Sequence, residues 1–115
     1  VSPQPWAIAL EELEQLKRKN LFAQGQIKIY FSSLSDIIRR YFEQQFAVKA
    51  PEMTTEEFLQ SLETSQRLNE AQQKILKEFL SSCDMVKFAK HAPDAASGEK
   101  SAALARRLVD ETKIK

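Results

Sequence analysis

The sequence predicts an all-α domain, a compact bundle of about five helices with a long central second helix. Apolar residues recur at three- and four-residue steps through most of the 115-residue chain, the spacing that gathers them on one helical face. The chain holds only 2 glycines, fewer than the hairpins and bulges of a β-rich protein consume. Hydrophobic residues make up 43% and charged residues 29%, a balance able to bury a core. The length suits one domain, taken as residues 6–115. Val1-Ser2-Pro3-Gln4-Pro5 reads as a linker from an upstream region, because each proline holds the residue before it out of helical geometry.

From Trp6 to Lys19, the residues Trp6, Ala9, Leu10, Leu13 and Leu16 share a face. Pro5 suits the first turn, Lys17, Arg18 and Lys19 complement the dipole at the last turn, and Asn20 is placed to end the helix. The second segment, from about Ala23 to Phe46, carries the strongest pattern: Ile27, Tyr30, Phe31, Leu34, Ile37, Ile38, Tyr41 and Phe42 form one broad stripe. Ile29 projects from its far side. Asp36 precedes Arg40 by four residues, the favoured ion-pair orientation along a helix, so Arg39 and Arg40 read as a solvated, partly paired face.

Pro51 ends that helix and opens an extended connector. Thr54 and Glu57 have capping-box spacing ahead of a short third helix whose Phe58, Leu59 and Leu62 point inward. Asn69 and Gln72 repeat the cap for a fourth helix, in which Ile75, Leu76, Phe79, Leu80, Cys83 and Val86 share a face. Met85 and Phe88 fall off that face, which predicts either a bend after Asp84 or cover from two sides. Ala92 to Gly98 reads as a loop or loose helix start, with Ser97 as the candidate cap of a fifth helix carrying Leu104, Ala105, Leu108 and Val109.

The same residues exclude several function classes. With 17 basic and 16 acidic side chains the net charge is +1, so no strong overall field captures nucleic acid. A helix-turn-helix reading fits the turn near Pro51 and the short third helix, but Glu56, Glu57 and Glu63 on that helix repel phosphates. Cys83 is the only cysteine, which rules out an internal disulfide, fits a reducing compartment and reads as a buried structural thiol. No apolar run approaches the roughly 20 residues that cross a bilayer, so this stretch is expected to be soluble.

Hydrolytic triads need a base, and the only histidine, His91, is remote in sequence from Ser32, Ser33 and Ser35. One cysteine with one histidine cannot make a structural zinc site. The neighbouring acids Glu56 and Glu57 point different ways in a first helical turn and favour its dipole over acid/base work. Neither Gly25 nor Gly98 belongs to a phosphate-binding loop. The expectation is therefore no catalytic residue, no metal and no cofactor.

The candidate interaction surface comprises Arg39, Arg40, Lys87, Lys90 and His91. In the run Lys87-Phe88-Ala89-Lys90-His91 a small basic cluster surrounds an aromatic residue where the periodicity slips, which suits an acidic partner or lipid headgroups. The alternative is that Phe88 belongs to the core and the lysines only extend their stems along it.

Four runs taken together carry a family resemblance. They are Pro5-Trp6-Ala7-Ile8-Ala9-Leu10-Glu11-Glu12-Leu13, Gly25-Gln26-Ile27-Lys28-Ile29-Tyr30-Phe31 through Leu34-Ser35-Asp36-Ile37-Ile38-Arg39-Arg40-Tyr41, Met53-Thr54-Thr55-Glu56-Glu57-Phe58-Leu59, and Asp84-Met85-Val86-Lys87-Phe88-Ala89-Lys90. In this order they resemble the cytoplasmic C-terminal region of BatD-like bacterial membrane proteins of the aerotolerance-operon type. The resemblance implies an upstream extracytoplasmic portion, a membrane-spanning helix, and this module at the cytoplasmic face of the inner membrane. It also implies a non-enzymatic role beside MoxR-type AAA ATPases and von Willebrand factor A-domain proteins. Basic residues in the first helix agree with a cytoplasmic location. The alternatives are a helical nucleic-acid-binding module and a purely structural or oligomerising domain.

Overall fold

Each periodic segment forms a helix, and the side chains on its apolar face set where it lies. In the computed structural model, which describes residues 3–46, 53–65, 68–88 and 93–113, the order is α1 (Pro5–Arg18), α2 (Ile27–Phe46), α3 (Thr55–Ser65), α4 (Glu70–Phe88) and α5 (Ala95–Thr112). The second helix is the axis of the bundle and touches α1, α4 and α5, while α3 is a satellite lying mainly on α4. The radius of gyration is 13.6 Å, close to the value of about 13 Å expected for a folded chain of this length.

The first helix starts at Pro5 and ends where Asn20 takes the left-handed conformation, φ 53°. The second begins at Ile27, four residues later than periodicity alone predicts. A turn intervenes, held by Gln24 and Gln26 backbone N–H groups donating to the Leu21 carbonyl and by the Gln24 side chain donating to the Lys19 carbonyl at 2.8 Å. Gly25 sits there at φ 74°, a conformation that glycine adopts without steric penalty and that cannot continue a helix. The turn folds Phe22 back onto Tyr30 and Phe31 in edge-to-face contacts. It also presses the ring against Gly98 of α5, where a Cβ would overlap it.

The core is contiguous. Phe31, Leu34, Ile38, Tyr41 and Phe42 of α2 meet Leu76, Phe79, Leu80, Cys83 and Val86 of α4 and Ala105, Leu108 and Val109 of α5. Each large side chain buried there contributes about 1.5–3 kcal/mol. The buried Tyr41 hydroxyl donates to Thr112 Oγ1 at 2.8 Å, and Thr112 in turn donates to the Leu108 carbonyl at 2.7 Å. This chain of bonds satisfies the phenol inside an apolar layer and fixes the end of α5 on α2.

The two capping boxes form as their spacing predicts. Thr54 and Glu57 exchange side-chain and backbone bonds at 2.9 and 3.2 Å, and Asn69 and Gln72 do so at 3.1 and 2.8 Å. The start of α5 differs from expectation. Asp94, not Ser97, is the N-cap, and its carboxylate accepts from the Ser97 backbone N–H at 2.9 Å. A carboxylate is a strong cap and also complements the dipole, so the cap lies three residues before the serine and the helix opens at Ala95.

The fourth helix continues without interruption to Phe88, and Met85 is exposed at 57%. Cover from two sides therefore does not occur at Met85, and the side chain of Phe88 lies outside what the structure describes. Ile29, at 52%, is likewise exposed. Among the described residues no helix is long and apolar enough to cross a membrane.

Candidate interaction surface

Arg39 and Arg40 are sequence neighbours about 100° apart on α2, and the structure separates their fates. The solvated face expected for Arg39 is not found: its residue exposure is 8%. Its Nε donates to Ser35 Oγ at 3.3 Å, Nη1 to the Met53 carbonyl at 2.6 Å and Nη2 to Thr55 Oγ1 at 2.9 Å. The guanidinium also lies 5.6 Å from the Phe58 ring centroid, within cation–π range. Thr55 passes its own hydroxyl proton on to Asp84 Oδ2 at 2.7 Å. The result is a polar seam in which one arginine joins α2, the entrance of α3 and, through Thr55, α4. Helical spacing gave no sign of it, because the partners come from other elements.

Arg40 stays exposed, but its partner differs from the one predicted. Nη2 reaches Glu12 Oε2 of α1 at 2.8 Å, while Nε donates to the backbone carbonyl of Asp36 at 3.3 Å. The Asp36 carboxylate is therefore not its ion-pair partner. The bridge ties α1 to α2 and, with the two side chains 51% and 30% exposed, contributes at most about 1 kcal/mol.

Lys87 is half-buried. It lines a polar depression of about 540 Å³ with Asp36, Arg39, Thr55, Glu56 and Asp84. Two of the five predicted site residues, Arg39 and Lys87, thus come together, and Arg40 turns away toward α1. Lys90 and His91 lie outside the described residues.

Cys83 is fully buried, and burial pushes its thiol up to about 12. A thiol so far above neutrality is not a nucleophile. Glu57 accepts from the Thr54 backbone N–H, which holds its carboxyl below the usual range. Among the described residues no three His, Cys, Asp or Glu side chains lie close enough to hold a metal ion.

Sequence reasoning missed two features. Thr55 and the Met53 carbonyl, which engage Arg39, and Asp84, which accepts from Thr55, carried no sequence signal. The other feature was legible: between Glu14 and Asp36 there is no acidic residue, yet Lys17, Arg18, Lys19 and Lys28 all occur there. The first three were read as dipole complements of α1 and as a sign of a cytoplasmic location, and Lys28 was given no role. All are exposed, and none forms an ion pair with a described residue. Comparison with protein-family models, curated proteins and solved structures finds no match to this chain.

Proposed function

We propose that this domain is a non-enzymatic protein-interaction module whose helix surfaces couple its parent protein to other proteins. The supporting observation is the division of labour among its charges. The buried arginine is consumed in holding helices together, whereas four cations at the α1–α2 turn are exposed and form no ion pair among the described residues. A rigid helical scaffold that displays unspent charge suits recognition of a complementary surface.

The order of the sequence runs that resemble BatD-like proteins supports a finer reading. In it the domain lies at the cytoplasmic face of a bacterial inner membrane, its parent is membrane-anchored, and its partners are a MoxR-type AAA ATPase and von Willebrand factor A-domain proteins. Crosslinking of the full-length protein in native membranes tests this reading. The expected products contain one of those two partner classes; recovery of neither would overturn it.

A further inference from the structure

We infer that the protein partner docks on the α1–α2 turn end of the domain and presents an acidic segment carrying apolar side chains. This inference rests on the interaction reading above and assigns its surface and the chemistry of its partner.

Charge is unevenly placed in a chain that is nearly neutral overall. The stretch from Gln15 to Ser35 holds four basic residues and no acidic one, leaving 13 basic residues against all 16 acidic ones elsewhere. The fold then concentrates that charge. Lys17 and Arg18 close the last turn of α1, Lys19 follows, and Lys28 opens α2. The turn between them is pinned by its backbone bonds and by the Gln24 contact to Lys19. Four exposed cations at one end of a helical hairpin, with no acidic residue between them in sequence, favour an anionic partner there.

An apolar feature adjoins them. Between α1 and α5, floored by α2, lies a groove of about 440 Å³ with the half-buried Leu13 and Ala102 on its walls, the buried Leu16 and Leu34 beneath them, and Lys17 and Arg106 on its rim. It is concave and of a size to receive one or a few apolar side chains. Glu14 and Glu99 stand on the same rim. They disfavour a uniform polyanion such as a duplex or an anionic bilayer. A polypeptide can place its acidic residues opposite Lys17 and Arg106 and leave the glutamate positions uncharged. A bilayer also finds little to insert, since Ile29 is the only exposed large hydrophobic residue of α2 among those described.

The test uses a labelled Glu-rich peptide with leucines at helical spacing, measured by fluorescence anisotropy against the native domain. Binding should weaken at least about tenfold in the combined variant Lys17→Glu, Arg18→Glu, Lys19→Glu, Lys28→Glu, and should also weaken as salt is raised. Replacing the peptide leucines with glutamine should cost at least about tenfold. A control variant at exposed positions of α4, Lys74→Glu with Lys77→Glu, should bind within about twofold of the native domain. Circular dichroism verifies folding of each variant, and four single charge reversals, each weakening binding part of the way, serve if the combined variant unfolds.

Equal loss in both combined variants, no binding of the peptide, or tighter binding to phosphatidylglycerol vesicles or duplex DNA overturns the assignment. A photo-crosslinking residue at position 28 or 74 of the full-length protein separates the two levels of the argument. Partner adducts from position 74 alone overturn this surface and leave the interaction reading standing, whereas adducts from neither position remove both.

Discussion

The two halves of α2 treat their cations in opposite ways. In the C-terminal half Arg39 is buried and its guanidinium is spent on Ser35, Met53, Thr55 and the face of Phe58. In the N-terminal half Lys28 is exposed, at the same end of the α1–α2 hairpin as Lys17, Arg18 and Lys19, with no ion-pair partner among the described residues. A charge enters a protein interior only when other elements bring polar groups to meet it. The entrance of α3 does this for Arg39, and among the described residues no polar group comes to meet the cations of the α1–α2 turn. The first arrangement serves the fold, while the second leaves charge available to a partner.

Replacing Arg39 is the severest way to break this contrast. Arg39→Ala should cost about 2–4 kcal/mol, because it leaves the Met53 carbonyl and Thr55 without their donor and Phe58 without its cover. Arg40→Ala, one residue along, should cost at most about 1 kcal/mol. Chemical denaturation of the pair measures the difference, and amide exchange should show α3 losing protection first in the Arg39 variant. Equal costs would mean that the polar seam does not hold α3.

Gly98→Ala should cost about 1–3 kcal/mol, since the new methyl displaces the Phe22 ring and with it the packing of the α1–α2 turn. It probes whether that turn is a fixed platform. If thermal melting shows no change, Phe22 is not seated as described. Reversing charge at Lys17, Arg18, Lys19 and Lys28 should shift stability least, within about 0.5 kcal/mol for each substitution, because none has an ion pair to lose among the described residues. A larger loss for each would place these cations in the fold and not at an interface.

Acid should act through the helix caps. Glu57 and Asp94 both accept backbone N–H bonds, which hold their carboxyls below the usual range. A depressed folded-state value means that their stabilisation is complete above the ordinary carboxylate values and is lost as pH falls through the depressed ones. The first turns of α3 and α5 should therefore fray below about pH 4, as seen by residue-resolved exchange, before the central core opens. Protection lost uniformly through all helices would count against a cap origin.

Much of this architecture was legible because its signals are local. The capping pairs Thr54 with Glu57 and Asn69 with Gln72 act across three residues, and the α2 stripe follows from the helical repeat alone. The start of α2 was misplaced because the Gly25 turn interrupts an apolar pattern that, read by periodicity, extends further back. The cap of α5 was misplaced for a different reason: Asp94 and Ser97 are both competent caps, and periodicity does not choose between them. The basic run from Lys17 to Lys28 was also readable, but its exposure and the absence of ion pairs to it among the described residues were not.

By itself, then, the sequence determined five amphipathic helices, their inward faces, most of their caps and an all-α bundle, since each depends on residues within a few positions of one another. Tertiary structure alone decided that Arg39 is interior and Arg40 is bound to Glu12. It also decided that Phe22 is seated on Gly98 and that four exposed cations fall at one end of the α1–α2 hairpin. The physical reason is that burial and pairing of a charge depend on groups delivered from distant parts of the chain, and helical periodicity carries no record of which neighbour will arrive.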